Sequence, residues 1–383
     1  MTGPPRFLHL HATFDADGAA LRCARLINGF GREAEHAIVS GDPARRGGAA
    51  AIGKAATVTW PKFPPLAGKP WPGRLKKLAE AMQGYDLVCT YGWGAIDAAL
   101  AHTLFADVYK LAPLVHHDDG AEGRTFYRRI ALGRTSALVV SSRTLERTAL
   151  ESWQQPRSRV RRIPPGIPTR SYGKKVKPGL LPNLLKRRGE MWAGTFGGAG
   201  NLPALVRAFA GLPEEWQLVI ADDRAQRDAV QGEALRLNIE HRVHFAGPVD
   251  PVGFASLLDI FVLASTSDLS AIPLVEAMAA GQPIAAPAVG DVSAMVASEN
   301  LPFVVPPGDE AALGGAMLRL SRDAALRGAV GKANKAKARE EFDEARMIER
   351  YRSLYWSVLD SRPGRSSASL AIHPLVDRSQ TSN

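Results

Sequence analysis

The feature that most restricts what this chain can fold into is a β–α alternation that runs through its first half, breaks at a proline-rich stretch, and begins again. Residues 6–12 (RFLHLHA), 36–40, 85–91, 112–117, 137–142 and 159–163 read as strands, with helical segments between several of them. Residues 18–31 carry Ala20, Cys23, Ile27 and Phe30 at the spacing of one apolar helix face. Such alternation predicts a parallel sheet covered by helices on both faces. Residues 164–189 hold prolines 164, 165, 168, 178 and 182 among many charges and read as an interdomain linker. Strands then resume at 190–196, 216–223, 242–247, 259–265 and 282–288. Two helices are expected within 309–341 and a last one over 343–360, with Met347, Tyr351, Leu354 and Tyr355 on one face. The expectation is α/β: two Rossmann-like doubly wound domains, residues 1–165 (completed by the last helix) and 190–342, joined by a basic linker over 166–189. The polar, Ser-rich residues 361–383 read as a disordered tail. Two facing sheets put a cleft between the domains, where ligands meet the carboxyl ends of the strands and closure excludes water.

Composition removes several classes. With 383 residues, 45% of them apolar, the chain can bury two cores and is not intrinsically disordered. Two cysteines, Cys23 and Cys89, make neither a disulfide scaffold nor a usual zinc cluster. No run of 18 apolar residues spans a bilayer, and the N-terminus lacks a signal-peptide pattern, so a cytoplasmic location is expected. Charge is divided unevenly: residues 1–190 hold 30 Lys+Arg against 15 Asp+Glu, and residues 191–383 hold 18 against 23. The densest basic stretch runs from Arg157 to Arg188. It suits an anionic membrane surface or a lipid-linked acceptor, and equally a solvated linker. Nucleic acid is disfavoured, because Tyr172 is the one aromatic in that run available for base stacking.

Three clusters carry polar chemistry. In PLVHHDDGAEG, His116, His117, Asp118 and Asp119 stand where an apolar strand stops, a position suited to acid–base work or to orienting a sugar hydroxyl. A metal site is disfavoured, since no second cluster supplies further ligands. The plainer alternative is a polar loop that caps the next helix. In the second cluster, Glu276 starts or closely precedes a small-residue helix, where a carboxylate can accept two hydrogen bonds from a ribose diol or simply favour the positive helix end. In the third, Gly197 and Gly198 stand before a helix, as Asp17 and Gly18 do earlier; exposed amides at such turns can cradle phosphate.

Taken together, the stretches RVHFAGPVDPVGFASLLDIFVLASTSD…PLVEAMAAGQPIAAPAVGDVSAMV, FVVPPGDEAALGGAM and HHDDG resemble family 4 glycosyltransferases, retaining enzymes of the two-Rossmann-domain GT-B fold. The resemblance spans about residues 6 to 358. It implies an N-terminal domain that binds a saccharide or lipid-linked acceptor at a membrane, and a C-terminal domain that binds a nucleotide-sugar donor of UDP or GDP type. It further implies that Glu276 holds the ribose, that the loop at Asp17, Gly18 and Ala19 approaches the donor phosphates, and that His116, His117 or Asp119 lies near the reacting carbon. No metal and no other cofactor is implied.

The chain departs from the family pattern at the donor site. The Arg and Lys that usually grip the diphosphate fall on Thr195 and Gly200, and the first glutamate of the pair falls on Asp268, or on Ser270 with a two-residue deletion. Charge-assisted hydrogen bonds contribute roughly 1.5–3 kcal/mol each, so losing two would cost about 10²–10⁴ in affinity or rate. Either another cation substitutes, with Arg143 and Arg224 as candidates, or the chain is an impaired relative that acts as a binding or scaffold protein. The first reading is a retaining glycosyltransferase of cell-surface polysaccharide synthesis, peripheral to the inner membrane face.

Overall fold

The computed structural model describes residues 3–120, 123–174, 181, 184–197, 200–221, 224–263, 265 and 272–361. The first sheet has seven parallel strands: β1 (Arg6–His11), β2 (Glu35–Ser40), β3 (Val58–Thr59), β4 (Leu87–Tyr91), β5 (Leu114–Asp118), β6 (Ala137–Val140) and β7 (Val160–Arg162), in the order β3-β2-β1-β4-β5-β6-β7. The second has six: β8 (Met191–Thr195), β9 (Trp216–Ala221), β10 (Val243–Gly247), β11 (Ile260–Val262), β12 (Ile284–Pro287) and β13 (Val304–Val305), ordered β10-β9-β8-β11-β12-β13. Both orders are doubly wound, and each reverses direction at its first strand, where a crevice opens. The expected α/β architecture is therefore present twice. The two-residue strands β3 and β13 were not expected; each is too short to show a period.

Side chains alternate across the first sheet. Leu8, Leu10, Val88, Leu114 and Leu138 meet the helices on one face, including Ile96–Tyr109. Phe7, Ile38, Leu87 and Val115 meet the Gly18–Phe30 helix and the final helix, Glu344–Asp360, on the other. That final helix returns to the first domain as its apolar stripe requires: Met347, Tyr351 and Tyr355 are buried, and the Tyr355 ring packs edge-on to Phe7 at 5.8 Å.

The linker is more than a tether. Ile167, Tyr172 and Leu181 are buried in the apolar cluster of the second domain. Residues 175–180 and 182–183 of the linker, and the tail 362–383, lie outside the described residues. No described helix is long and apolar enough to cross a membrane.

Candidate active site

A cleft of about 920 Å³ lies between the two sheets. The first domain contributes Asp17, Gly18, Arg22, Arg25, Asp119 and residues 141–145; the second contributes Leu263, Ser265, Ile272, Leu274, Asp291 and neighbours. At the start of the Gly18–Phe30 helix, Asp17 accepts a hydrogen bond from the Ala20 amide at 3.0 Å and so caps the first turn. Apart from its chain neighbours and its own helix backbone, no described atom lies within 4 Å of where a Gly18 side chain would begin, and Gly18 lines the cleft. Helical spacing (i, i+4, i+7) then puts Arg22 and Arg25 on the face that carries Gly18.

The two arginines are held differently. Arg22 is buried and donates both terminal nitrogens to Asp119, at 2.8 and 2.7 Å. Arg25 donates to the Gly166 carbonyl at 2.8 Å and approaches Glu344 at 3.8 Å. Neither was anticipated from the sequence, although the spacing from Gly18 was there to be read.

The HHDDG cluster is divided by the sheet. His116 and His117 lie on β5, wholly buried, and neither lines the cleft. The Thr90 hydroxyl pairs with His116 Nδ1 at 2.8 Å, and the Tyr355 hydroxyl pairs with His117 Nε2 at 2.8 Å. Burial, with Arg22 adding to it, pushes the His117 imidazole well below its ordinary range. Asp118 is likewise buried, against Arg128. Asp119 alone of the four lines the cleft, together with Gly120. The expectation of histidines at the reacting carbon is thus not what the geometry presents: a strand inside a doubly covered sheet turns its polar side chains into the core.

Opposite, the Arg143–Glu151 helix is capped by Ser142, which accepts from the Leu145 amide at 3.0 Å. The carboxylate of Asp291, from the second domain, meets the same helix end. It accepts from the Arg143 amide, from the Thr144 amide at 2.9 Å and from the Thr144 hydroxyl at 2.7 Å, which ties the domains across the cleft. The Arg143 guanidinium has no ion pair among the described residues.

Contrary to expectation, Glu276 stands not at the start of its helix but in the middle of Ile272–Ala280, because the apolar run from Ile272 is already helical, and it is 8% exposed. It does not line the cleft. Its Oε1 accepts a hydrogen bond from the Tyr172 hydroxyl at 2.7 Å. Burial raises its carboxyl above the usual range; the Tyr172 hydroxyl and Arg25 oppose that shift, and Asp250 adds to it. Ile272, one helical turn earlier, does line the cleft. Gly197 follows β8 at a φ of +74°, and a Cβ there would fall 2.5 Å from the Pro273 ring. Thr195 is buried on β8. Asp268, Ser270 and Gly198 lie outside the described residues, and so does the side chain of Arg224. Among the described residues no group of three or more His, Cys, Asp or Glu side chains is arranged to hold a metal ion.

Residues 193–337 match a family model described as "Glycosyl transferases group 1". A crystal structure of Anabaena Alr3699/HepE in complex with UDP superposes on the chain with a TM-score of 0.76, at 17% identity, over 92% of this chain and 100% of that one. The chain has the GT-B glycosyltransferase fold. Sucrose-phosphate synthase from Thermosynechococcus elongatus shares this GT-B architecture, with a TM-score of 0.73 at 20% identity over 93% of this chain and 100% of that one. In sequence, N-acetyl-alpha-D-glucosaminyl L-malate synthase of Bacillus anthracis is 26% identical over 165 residues, 42% of this GT-B chain and 43% of the length of that protein.

Proposed function

We propose that this protein transfers a sugar, with retention, from a UDP- or GDP-type nucleotide donor to a saccharide or lipid-linked acceptor, as a step in building cell-surface polysaccharide. The observation that carries the reading is the interdomain cleft of about 920 Å³, edged by the open Gly18 helix end and by arginines. That volume is of the size that encloses a nucleotide sugar. The chemistry needs the diphosphate's developing charge neutralised as the glycosidic bond breaks. The amides at Gly18 offer partial positive charge to it. Full positive charge comes from the first domain, through Arg25 and Arg143, and not from positions 195 and 200. Arg22 is committed to Asp119, whose carboxylate it holds in place beside the reacting sugar. Glu276 stands one turn behind Ile272 of the cleft wall and is electrostatically linked to Arg25; it is the carboxylate offered to a ribose diol, which must displace what covers a side chain only 8% exposed. The HepE structure with UDP supports the donor class.

Isothermal calorimetry against UDP, GDP and ADP tests the donor site. One nucleotide is expected to bind, and Glu276→Ala to weaken it by about 10–100-fold, the loss of hydrogen bonds to a charged group. Binding that survives Glu276→Ala unchanged would sink the assignment. The second reading, a scaffold protein without turnover, is favoured by Thr195 and Gly200 at the diphosphate positions; no binding of any nucleotide is its signature.

The lipid-linked acceptor rests on a further surface. Leu104 and Val108 on one helix and Phe126 and Ile130 on the neighbouring helix Thr125–Ala131 are 52%, 71%, 73% and 44% exposed, with Lys110, Arg124, Arg129 and Arg134 close in sequence. Apolar side chains among cations fit an anionic bilayer surface. The protein is expected to sediment with anionic vesicles in low salt, and Phe126→Glu to reduce the bound fraction severalfold; equal sedimentation of that variant would exclude this face.

A further inference from the structure

We propose that Tyr172, in the interdomain linker, is the positioning residue of the donor site: it holds one oxygen of Glu276 and so fixes the orientation in which that carboxylate meets a ribose diol. The inference rests on the reading of Glu276 as the ribose anchor. An ionised carboxylate has about four lone-pair sites on two oxygens, and the terminal torsion of a glutamate is broad. A buried carboxylate that must present two acceptors to a diol therefore gains from a third partner that stops it turning. The Tyr172 hydroxyl is that partner, at 2.7 Å from Oε1. It approaches Oε1 from the linker side and leaves Oε2 without a hydrogen bond among the described residues.

The tyrosine is itself fixed on both sides. Before it, the Ile167 amide donates to the Phe342 carbonyl at 2.9 Å, and the Thr169 hydroxyl donates to Asp343 at 2.5 Å. After it, the Gly173 amide donates to the Ser256 hydroxyl at 3.2 Å. Gly173 has a φ of +68°, and a Cβ there would fall 2.8 Å from the Ala280 carbonyl oxygen, so the chain passes against the Glu276 helix where only glycine fits. The same linker offers the Gly166 carbonyl to Arg25 of the cleft. A basic linker whose charges suit either an anionic partner or solvent is thereby built between the cleft arginine and the buried carboxylate.

The test uses the full chain, with UDP, GDP and ADP as calorimetric probes over a range of pH. For whichever nucleotide the unaltered protein binds, Tyr172→Phe is expected to weaken binding about tenfold, and in turnover to raise the donor KM with kcat nearly unchanged. The pH at which affinity falls on the acid side is expected to move upward. Without the hydroxyl, burial and the Asp250 charge raise the Glu276 carboxyl further, and Arg25 alone opposes them. Unchanged or tighter binding by Tyr172→Phe, together with loss in Glu276→Ala, would overturn the positioning role and leave the anchor standing. Weaker binding without the pH displacement would mean packing damage and would also overturn it. Unchanged binding in Glu276→Ala would remove both readings.

Discussion

Arg128→Ala is expected to destabilise the first domain by about 3–5 kcal/mol, the cost of stranding a buried charge. Arg128 and Asp118 are each about 1% exposed. The guanidinium donates to Asp118 Oδ2 at 2.8 Å and Oδ1 at 3.2 Å, and to the Gly120 carbonyl at 3.1 Å. It lies 4.3 Å from the ring centroid of Trp153 and 5.3 Å from that of Trp93. Removing it leaves the buried Asp118 to His116 Nε2 at 3.4 Å and the Gly120 amide at 3.3 Å, without its guanidinium, and opens a hole between two indoles. At roughly 2–4 °C per kcal/mol for a domain of this size, the melting transition should fall by about 6–20 °C. Arg128→Met with Asp118→Asn should recover much of the loss, because the charge is gone and the volume kept. Calorimetry showing Arg128→Ala within 1 °C of the parent protein would refute the account, roughly the error of a surface change. The effect should extend to the cleft, since Asp119 and Gly120 continue the strand that Arg128 holds.

The second large effect is on pH. His9, His11, His36 and His117 are buried in one polar seam of the first domain. His9 meets the Tyr91 hydroxyl at 3.0 Å and His36 Nδ1 at 3.0 Å, and Tyr91 stacks on His11 at 3.9 Å and on His117 at 4.4 Å. Burial lowers His11 to about 3 and His36 to about 4, and holds His9 and His117 well below the ordinary value. These groups stay neutral in the folded chain. Above the unfolded value of about 6.5 neither state is protonated and nothing is lost. Below it, the unfolded chain takes up protons that the native one refuses, so stability falls with pH by up to about 1.4 kcal/mol per unit for each histidine. The loss continues until pH reaches the lowered folded values. Burial lowers His102 and His244 as well, so thermal unfolding should be nearly level from pH 8 to 7 and drop steeply from about 6.5 to 5, with His36→Gln removing about a sixth of the histidine slope. A level profile through that lower range would contradict the neutral, buried seam.

These two regions show where reading along the chain succeeds and where it stops. The alternation of strands and helices, the restart after the prolines and the apolar stripe of the final helix are local periodicities, and each became the element expected of it. The chain's polar residues are another matter. His116, His117, Asp118 and Asp119 are neighbours in sequence, but β5 turns three of them into the core, to Thr90, Tyr355 and Arg128, and leaves Asp119 to the cleft. Likewise β1 alternates Leu8 and Leu10 with His9 and His11, a pattern suited to one wet face, yet the Glu344–Asp360 helix returns from the far end of the chain and covers it.

Covalent order determined the type of the longer elements and the doubled α/β plan, because helix and strand periods are set by residues a few positions apart; the two-residue strands β3 and β13 carry no such period. Only the tertiary structure decided which polar groups face the cleft, which arginines are free, and that the linker's Tyr172 meets Glu276. The pairs His9–Tyr91, Arg22–Asp119 and Tyr172–Glu276 each join residues more than 80 positions apart, and no local pattern encodes the point at which two distant surfaces close over a charge.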